Sequence, residues 1–98
     1  MKHVDEKTFL EEINSKRVLV DFYATWCGPC KMLGLVLEKL NEKDIIPILK
    51  VDTDESEALA NKYNIFSVPT LIIFENGKEI KRQTGYMSYE ELERWVTE

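Results

Sequence analysis

Apolar residues along the chain switch between continuous runs and helical spacing, and the switches mark its elements. Arg17 to Tyr23 contains Val18-Leu19-Val20-Asp21-Phe22-Tyr23 and predicts a strand buried on both faces, because its apolar residues run on without alternating. Ile45 to Val51, with Pro47 near its start, predicts a second such strand, and Thr70 to Phe74 a third. Between them the spacing becomes helical. Phe9, Leu10 and Ile13 share one face of a helix that Asp5 is placed to cap and that Asn14-Ser15 ends. Leu33, Val36, Leu37 and Leu40 do the same after the first long strand. Asp52-Thr53-Asp54 offers caps for a short helix through Leu59 and Tyr63, closed by Asn64 in a left-handed conformation. Asn76-Gly77 predicts a tight hairpin into a return strand, Lys78 to Thr84. Ser88 and Glu91 form a capping box, with Met87 stapled to Leu92, for a last helix burying Leu92, Trp95 and Val96. With a short strand at Met1 to Val4, the order is β-α-β-α-β-α-β-β-α. Right-handed crossovers make the first three strands parallel, and the final pair is antiparallel. The expected fold is α/β: a mixed central sheet of about five strands flanked by four helices.

At 98 residues the chain is read as a single domain, residues 1–98. Its net charge of -5, without a basic stripe, argues against nucleic-acid binding. The polar start, Met1-Lys2-His3-Val4-Asp5-Glu6, leads into no apolar stretch of signal-peptide type, and no run is long enough to span a membrane. The expected location is therefore cytoplasmic. In such a compartment, two cysteines spaced Cys-x-x-Cys suggest redox or metal chemistry before a structural crosslink.

Those cysteines stand in Trp26-Cys27-Gly28-Pro29-Cys30-Lys31, between a buried strand and a helix. With Val20-Asp21-Phe22 ahead of them, Lys50-Val51-Asp52 on the next strand, Val68-Pro69-Thr70 before the hairpin, Asn76-Gly77 within it and Gly85 after it, the sequence closely resembles the thioredoxin family over nearly its whole length. It departs from the family pattern at Gly34-Leu35, where a helix-kinking proline is usual, and at Tyr23, where many members carry tryptophan.

The resemblance implies a general protein-disulfide reductase and electron carrier, cycling between dithiol and disulfide at Cys27 and Cys30 and serving cell redox homeostasis. Cys27, at the helix entrance, faces unpaired N–H groups and the positive end of the helix dipole, so it is the expected nucleophile. Cys30 is the expected resolving thiol. Gly28 and Pro29 form the spacer, the first admitting a substrate backbone and the second stiffening the turn. Asp21 stands for the family's buried proton acceptor, and Lys50 for the lysine that tunes it; the alternative is a buried pair serving only the fold. Pro69 matches the family's cis-proline, which frees Val68 to pair with an extended substrate. Trp26, Val68, Gly85 and Tyr86 are expected to form the apolar rim around Cys27. Gly85 is equally readable as a bulge, Trp26 as core, Phe66 as rim or core, and Lys31 as a solvated lysine. Trp95 is assigned to the core, and His3 receives no role.

No cofactor is expected, because the chain has no phosphate loop, dinucleotide fingerprint or metal-ligand set. A zinc half-site is the alternative for the cysteine pair, but His3 is the only histidine available to complete it. The partners implied are a thioredoxin reductase and disulfide-containing client proteins, and a monomer is expected. A disulfide isomerase or oxidase, a glutaredoxin and a redox-silent structural subunit are the competing classes. The Gly-Pro spacer speaks against the first two.

Overall fold

A computed structural model describes all residues from Met1 to Glu98. Five strands, β1 (Lys2–His3), β2 (Val18–Tyr23), β3 (Ile48–Asp52), β4 (Thr70–Glu75) and β5 (Lys78–Thr84), form one sheet in the order β1-β3-β2-β4-β5. β3 runs parallel to both β1 and β2; β4 runs antiparallel to β2 and β5. The helices are α1 (Phe9–Ile13), α2 (Gly28–Glu42), α3 (Glu57–Lys62) and α4 (Tyr89–Thr97). The fold class and element order expected from the sequence are those observed.

Because β2 and β4 are central, both their faces are buried, which is why their apolar residues run on unbroken. One face packs against α1 and α3 through Phe9, Phe22, Phe74 and Leu59, with Tyr63 half-buried against them. The other packs against α2 and α4 through Leu19, Leu33, Leu37, Ile73 and Leu92. At the outer sides of the sheet, β1 is two residues long, and β5 is largely exposed with four charged residues, Lys78, Glu79, Lys81 and Arg82.

Local chemistry fixes several element ends. Asn76 and Gly77 take φ of 52° and 83°, the pair of positive values a tight hairpin turn requires. Asn64 ends α3 at φ 55°. At α4 the Ser88 hydroxyl accepts the Glu91 N–H at 3.2 Å, and the Glu91 carboxylate accepts the Ser88 N–H at 2.9 Å. Met87 is buried with Leu92, as the staple demands. Ser88→Ala removes the hydroxyl half of this box and is expected to cost about 1 kcal/mol, read as a lower urea midpoint with an unchanged m-value.

Some expectations are corrected. Leu10 is exposed rather than part of the α1 core face, since so short a helix offers only Phe9 and Ile13 to the sheet. Asp5 caps the turn before α1, accepting N–H groups from Lys7 and Thr8, while Thr8 stands at the helix N-cap. Asp52 likewise accepts from Asp54 and Glu55 in the turn before α3. β3 begins at Ile48, just after Pro47, whose ring removes a ladder donor. Trp95 is only half-buried at the edge of its cluster. The sheet's irregularity falls at Ile73/Phe74, not at Gly85. α2 runs unbroken through Gly34-Leu35.

Candidate active site

The site lies where β2 ends and α2 begins. Cys27 is the N-cap of α2 in an extended conformation, Pro29 sits in the first turn where no N–H is missed, and Cys30 follows at the third helical position. This geometry brings the backbone N–H of Cys30 to the Cys27 sulfur at 3.2 Å. That N–H and the positive end of the α2 dipole both face the Cys27 sulfur. On its other side, the Cys27 thiol donates to the Val68 carbonyl at 3.8 Å. Both cysteines are free thiols.

Neither cysteine is widely open. Cys27 is 5% exposed and Cys30 3%, so the expected nucleophile opens on a small window rather than projecting as a side chain. What projects is the surround. Trp26 is 71% exposed, which excludes a core role, and its indole N–H donates to Asp54 at 2.8 Å. Gly28, Pro29 and Lys31 are exposed beside it, and no atom lies within 4 Å of the position a Cβ would take at Gly28. The Val68-Pro69 peptide is cis and Pro69 is buried, leaving Val68 half-exposed against the cysteines. Gly85 has φ 97°, and its N–H donates to the Pro69 carbonyl at 2.8 Å, tying the end of β5 to this loop. Tyr86 is exposed next to it, and Phe66 is almost wholly exposed.

Behind the cysteines, Asp21 is fully buried on β2. Its carboxylate meets the Lys50 ammonium at 3.5 Å across the β2–β3 pair, where the two residues are in register, and makes no hydrogen bond within the chain. Burial pushes its pKa up to about 6, and the Lys50 charge only partly offsets that. The Cys30 thiol is pushed up to about 12, first by burial and then by the hydrogen bond and negative charge of Cys27, with Asp21 adding to the effect.

Three contributors were not legible as site residues. Asp54, singled out only as a helix cap, holds the Trp26 indole. Tyr23 places its ring 4.6 Å from the Lys50 ammonium, a cation–π contact, and its hydroxyl lies 3.3 Å from His3 Nδ1. Gly34 faces Lys50 across a hollow of about 360 Å³ that Cys30 also lines; a Cβ there would stand 3.6 Å from the ammonium. The signal in the sequence was the departure at Tyr23 and Gly34, without the contacts that give it meaning.

The Thioredoxin family model matches residues 1–98. The chain is 45% identical over 95 residues to a thioredoxin of Chlamydia trachomatis, covering 96% of this chain and 93% of that one. It is 39% identical over 93 residues to the thioredoxin of Bacillus subtilis, covering 93% and 89%. Among solved structures, the thioredoxin of Malassezia sympodialis superposes with a TM-score of 0.89 at 35% identity, covering 98% of this chain and 89% of that one. A mutant thioredoxin from Halobacterium salinarum superposes with a TM-score of 0.88 at 38% identity, covering 96% and 85%. A buried dithiol at a helix N-terminus, in this sheet order and with these relatives, has one reading: the chain belongs to the thioredoxin family and is a thiol–disulfide oxidoreductase.

Proposed function

We propose that the chain acts as one domain, residues 1–98, in general protein-disulfide reduction, with unequal duties for its two cysteines. The observation that carries this reading is the Cys30 N–H on the Cys27 sulfur, paired with a Cys30 thiol held strongly protonated. The Cys27 thiolate attacks one sulfur of a client disulfide, forming a mixed disulfide and expelling a client thiolate. Cys30 then gives its proton to Asp21 and attacks the Cys27 sulfur. The Cys27–Cys30 disulfide forms, the second client thiolate leaves, and two electrons have passed to the client.

Lys50 keeps Asp21 ionised enough to accept that proton, since the opposite charge works against burial. Gly28 and Pro29 hold the two sulfurs at one helical turn. Trp26, Val68, Pro69, Gly85 and Tyr86 receive the client around the window over Cys27. A thioredoxin reductase restores the dithiol, and the working form is a monomer that binds no cofactor. The cytoplasm is the proposed location, in keeping with bacterial relatives; no helix is long and apolar enough to cross a membrane.

Equilibration of the purified protein with glutathione buffers of known ratio tests the direction of electron flow. A potential below about −200 mV is expected of a reductant of cytosolic disulfides. A value well above it, among the oxidising isomerases, overturns the reductase reading.

A further inference from the structure

Lys50 supplies the positive charge beside the buried Asp21 carboxylate, yet that pair alone does not fix where the charge sits. Their separation is 3.5 Å, longer than the roughly 2.8 Å of a charge-assisted hydrogen bond. The ammonium rides on a flexible four-carbon stem. It also has somewhere else to go. The hollow of about 360 Å³ at Gly34 is lined by Lys50 and by the exposed Glu38 of α2. Gly34 puts no side chain into that space. A second hollow, of about 540 Å³, again brings Lys50 and Glu38 together, now with His3. A swing of Lys50 toward Glu38 leaves Asp21 buried without its counter-charge. Tyr23 holds the ammonium on the other course. Asp21 and Tyr23 are two apart on β2 and share a face of the sheet, and Lys50 lies opposite Asp21 on β3. The Tyr23 ring stands 4.6 Å from the ammonium. The ring is steadied in turn from β1, where His3 is in register with Lys50. The two rings meet edge to face with centroids 6.0 Å apart, and the Tyr23 hydroxyl lies 3.3 Å from His3 Nδ1. The ionisable groups around the Asp21–Lys50 pair are thus Tyr23 of β2, His3 of β1 and Cys30, Lys31, Glu38 and Glu42 of α2; β4 offers the apolar Leu71 in register with Asp21.

We propose that Tyr23 is a positioning residue for the resolving step: its ring, steadied by His3, holds the Lys50 ammonium against Asp21 and away from Glu38, so that Asp21 stands charge-paired when Cys30 releases its proton. The proposal rests on the role given to Asp21 in the proposed function. It joins the two departures from the family pattern. Gly34 opens room around Lys50, and Tyr23 keeps the ammonium from using it. Burial pushes the Asp21 pKa up to about 6 against the opposing charge of Lys50, so loss of the clamp moves it further up.

The test follows two readouts of the full chain against pH. One is the carbon NMR titration of the Asp21 carboxyl. The other is the second burst of thionitrobenzoate after mixing with dithiobis(nitrobenzoate), which reads the attack of Cys30 on the Cys27 mixed disulfide. In the wild type both midpoints are expected near 6. Tyr23→Leu keeps an apolar cover but has no ring face, and both midpoints are expected to rise by about 1 pH unit, a tenfold change in proton affinity. Tyr23→Phe keeps the ring and is expected to keep both midpoints within about 0.3 of the wild type. Lys50→Met raises them at least as far as Tyr23→Leu, and adding Tyr23→Leu to it moves nothing further. A carboxyl midpoint unmoved in Tyr23→Leu, or moved equally in the Lys50→Met background, overturns the clamp. Should Tyr23→Leu fold poorly, the wild type decides alone: the Tyr23 ring current is expected to move the Lys50 ε-methylene protons upfield, and ordinary positions overturn the clamp. A carboxyl midpoint that rises in Tyr23→Leu while the thionitrobenzoate profile stays put instead overturns Asp21 as the proton acceptor, and the part of Tyr23 in the resolving step with it.

Discussion

Cys27→Ser is expected to abolish disulfide reduction, a loss of about a thousandfold or more in client turnover, whereas Cys30→Ser is expected to stop the reaction one step later and accumulate a covalent complex with the client. The difference follows from position. The N-cap sulfur receives the Cys30 N–H at 3.2 Å at the entrance of α2. A serine hydroxyl there forms no anion at neutral pH and no bond to sulfur. Cys30, buried and protonated up to about pH 12, is a poor attacker from solvent but is well placed for the adjacent Cys27 sulfur once that sulfur is bonded to a client. Non-reducing electrophoresis and mass spectrometry of Cys30→Ser incubated with an oxidised client check this: a thiol-sensitive adduct at Cys27 is expected. An adduct that forms on Cys30 of Cys27→Ser instead would reverse the assignment.

Asp21→Asn is the second large effect, and it divides activity from stability. At pH 7 a carboxyl titrating at about 6 is mostly ionised, so it can take the Cys30 proton. Its loss is expected to slow release of the mixed disulfide roughly ten- to a hundredfold, and to remove the pH dependence centred near 6. Stability moves the other way. The folded-state pKa lies above the ordinary aspartate value of 3.8, so between those values the native protein holds more protons than the unfolded chain, and stability falls as pH rises. The cost is absent below about pH 4 and complete above about pH 7, with a ceiling of about 3 kcal/mol. Asparagine is expected to recover about 2 kcal/mol at about pH 7.5, less than the ceiling because Lys50 loses its counter-charge, and little at about pH 4. Urea midpoints at the two pH values measure this directly. The predicted stability gain with turnover unchanged would assign the Asp21–Lys50 pair to the fold alone, and no stability difference at either pH would overturn the burial penalty.

Local chemistry was legible from the chain; contacts between distant segments were not. Asn76-Gly77, Asn64 and the Ser88–Glu91 box announce themselves because the residues that need a particular φ or a particular partner lie within four positions of each other. The same holds for Cys27, Pro29 and Cys30, whose relation is one helical turn. The buried Asp21 was visible as an acid inside an apolar run. Its pairing with Lys50 rested on the family resemblance, and the cis Val68-Pro69 bond did so entirely. What escaped notice depends on tertiary register. Trp26 reaches Asp54 across two loops, and Tyr23 covers Lys50 only because β2 and β3 pair with Asp21 opposite Lys50. Phe66 is as apolar as Phe9, yet one is nearly bare and the other sealed, and nothing in their neighbours states which. Leu10 was misplaced for a related reason: a five-residue helix has room to bury only two side chains.

The two outer strands of the sheet have a consequence for how the molecule behaves in a crowded solution. Its flanks are a two-residue β1 and a β5 studded with Lys78, Glu79, Lys81 and Arg82. Short or charged edges are poor templates for recruiting another β-segment, so the sheet resists growing into aggregates from either side. A member of a family that acts on disulfide-containing client proteins gains from that arrangement. Under the proposed reaction, an incoming extended segment pairs with the free Val68 N–H beside the Cys27 sulfur, and not along a flank where it would stick without reacting.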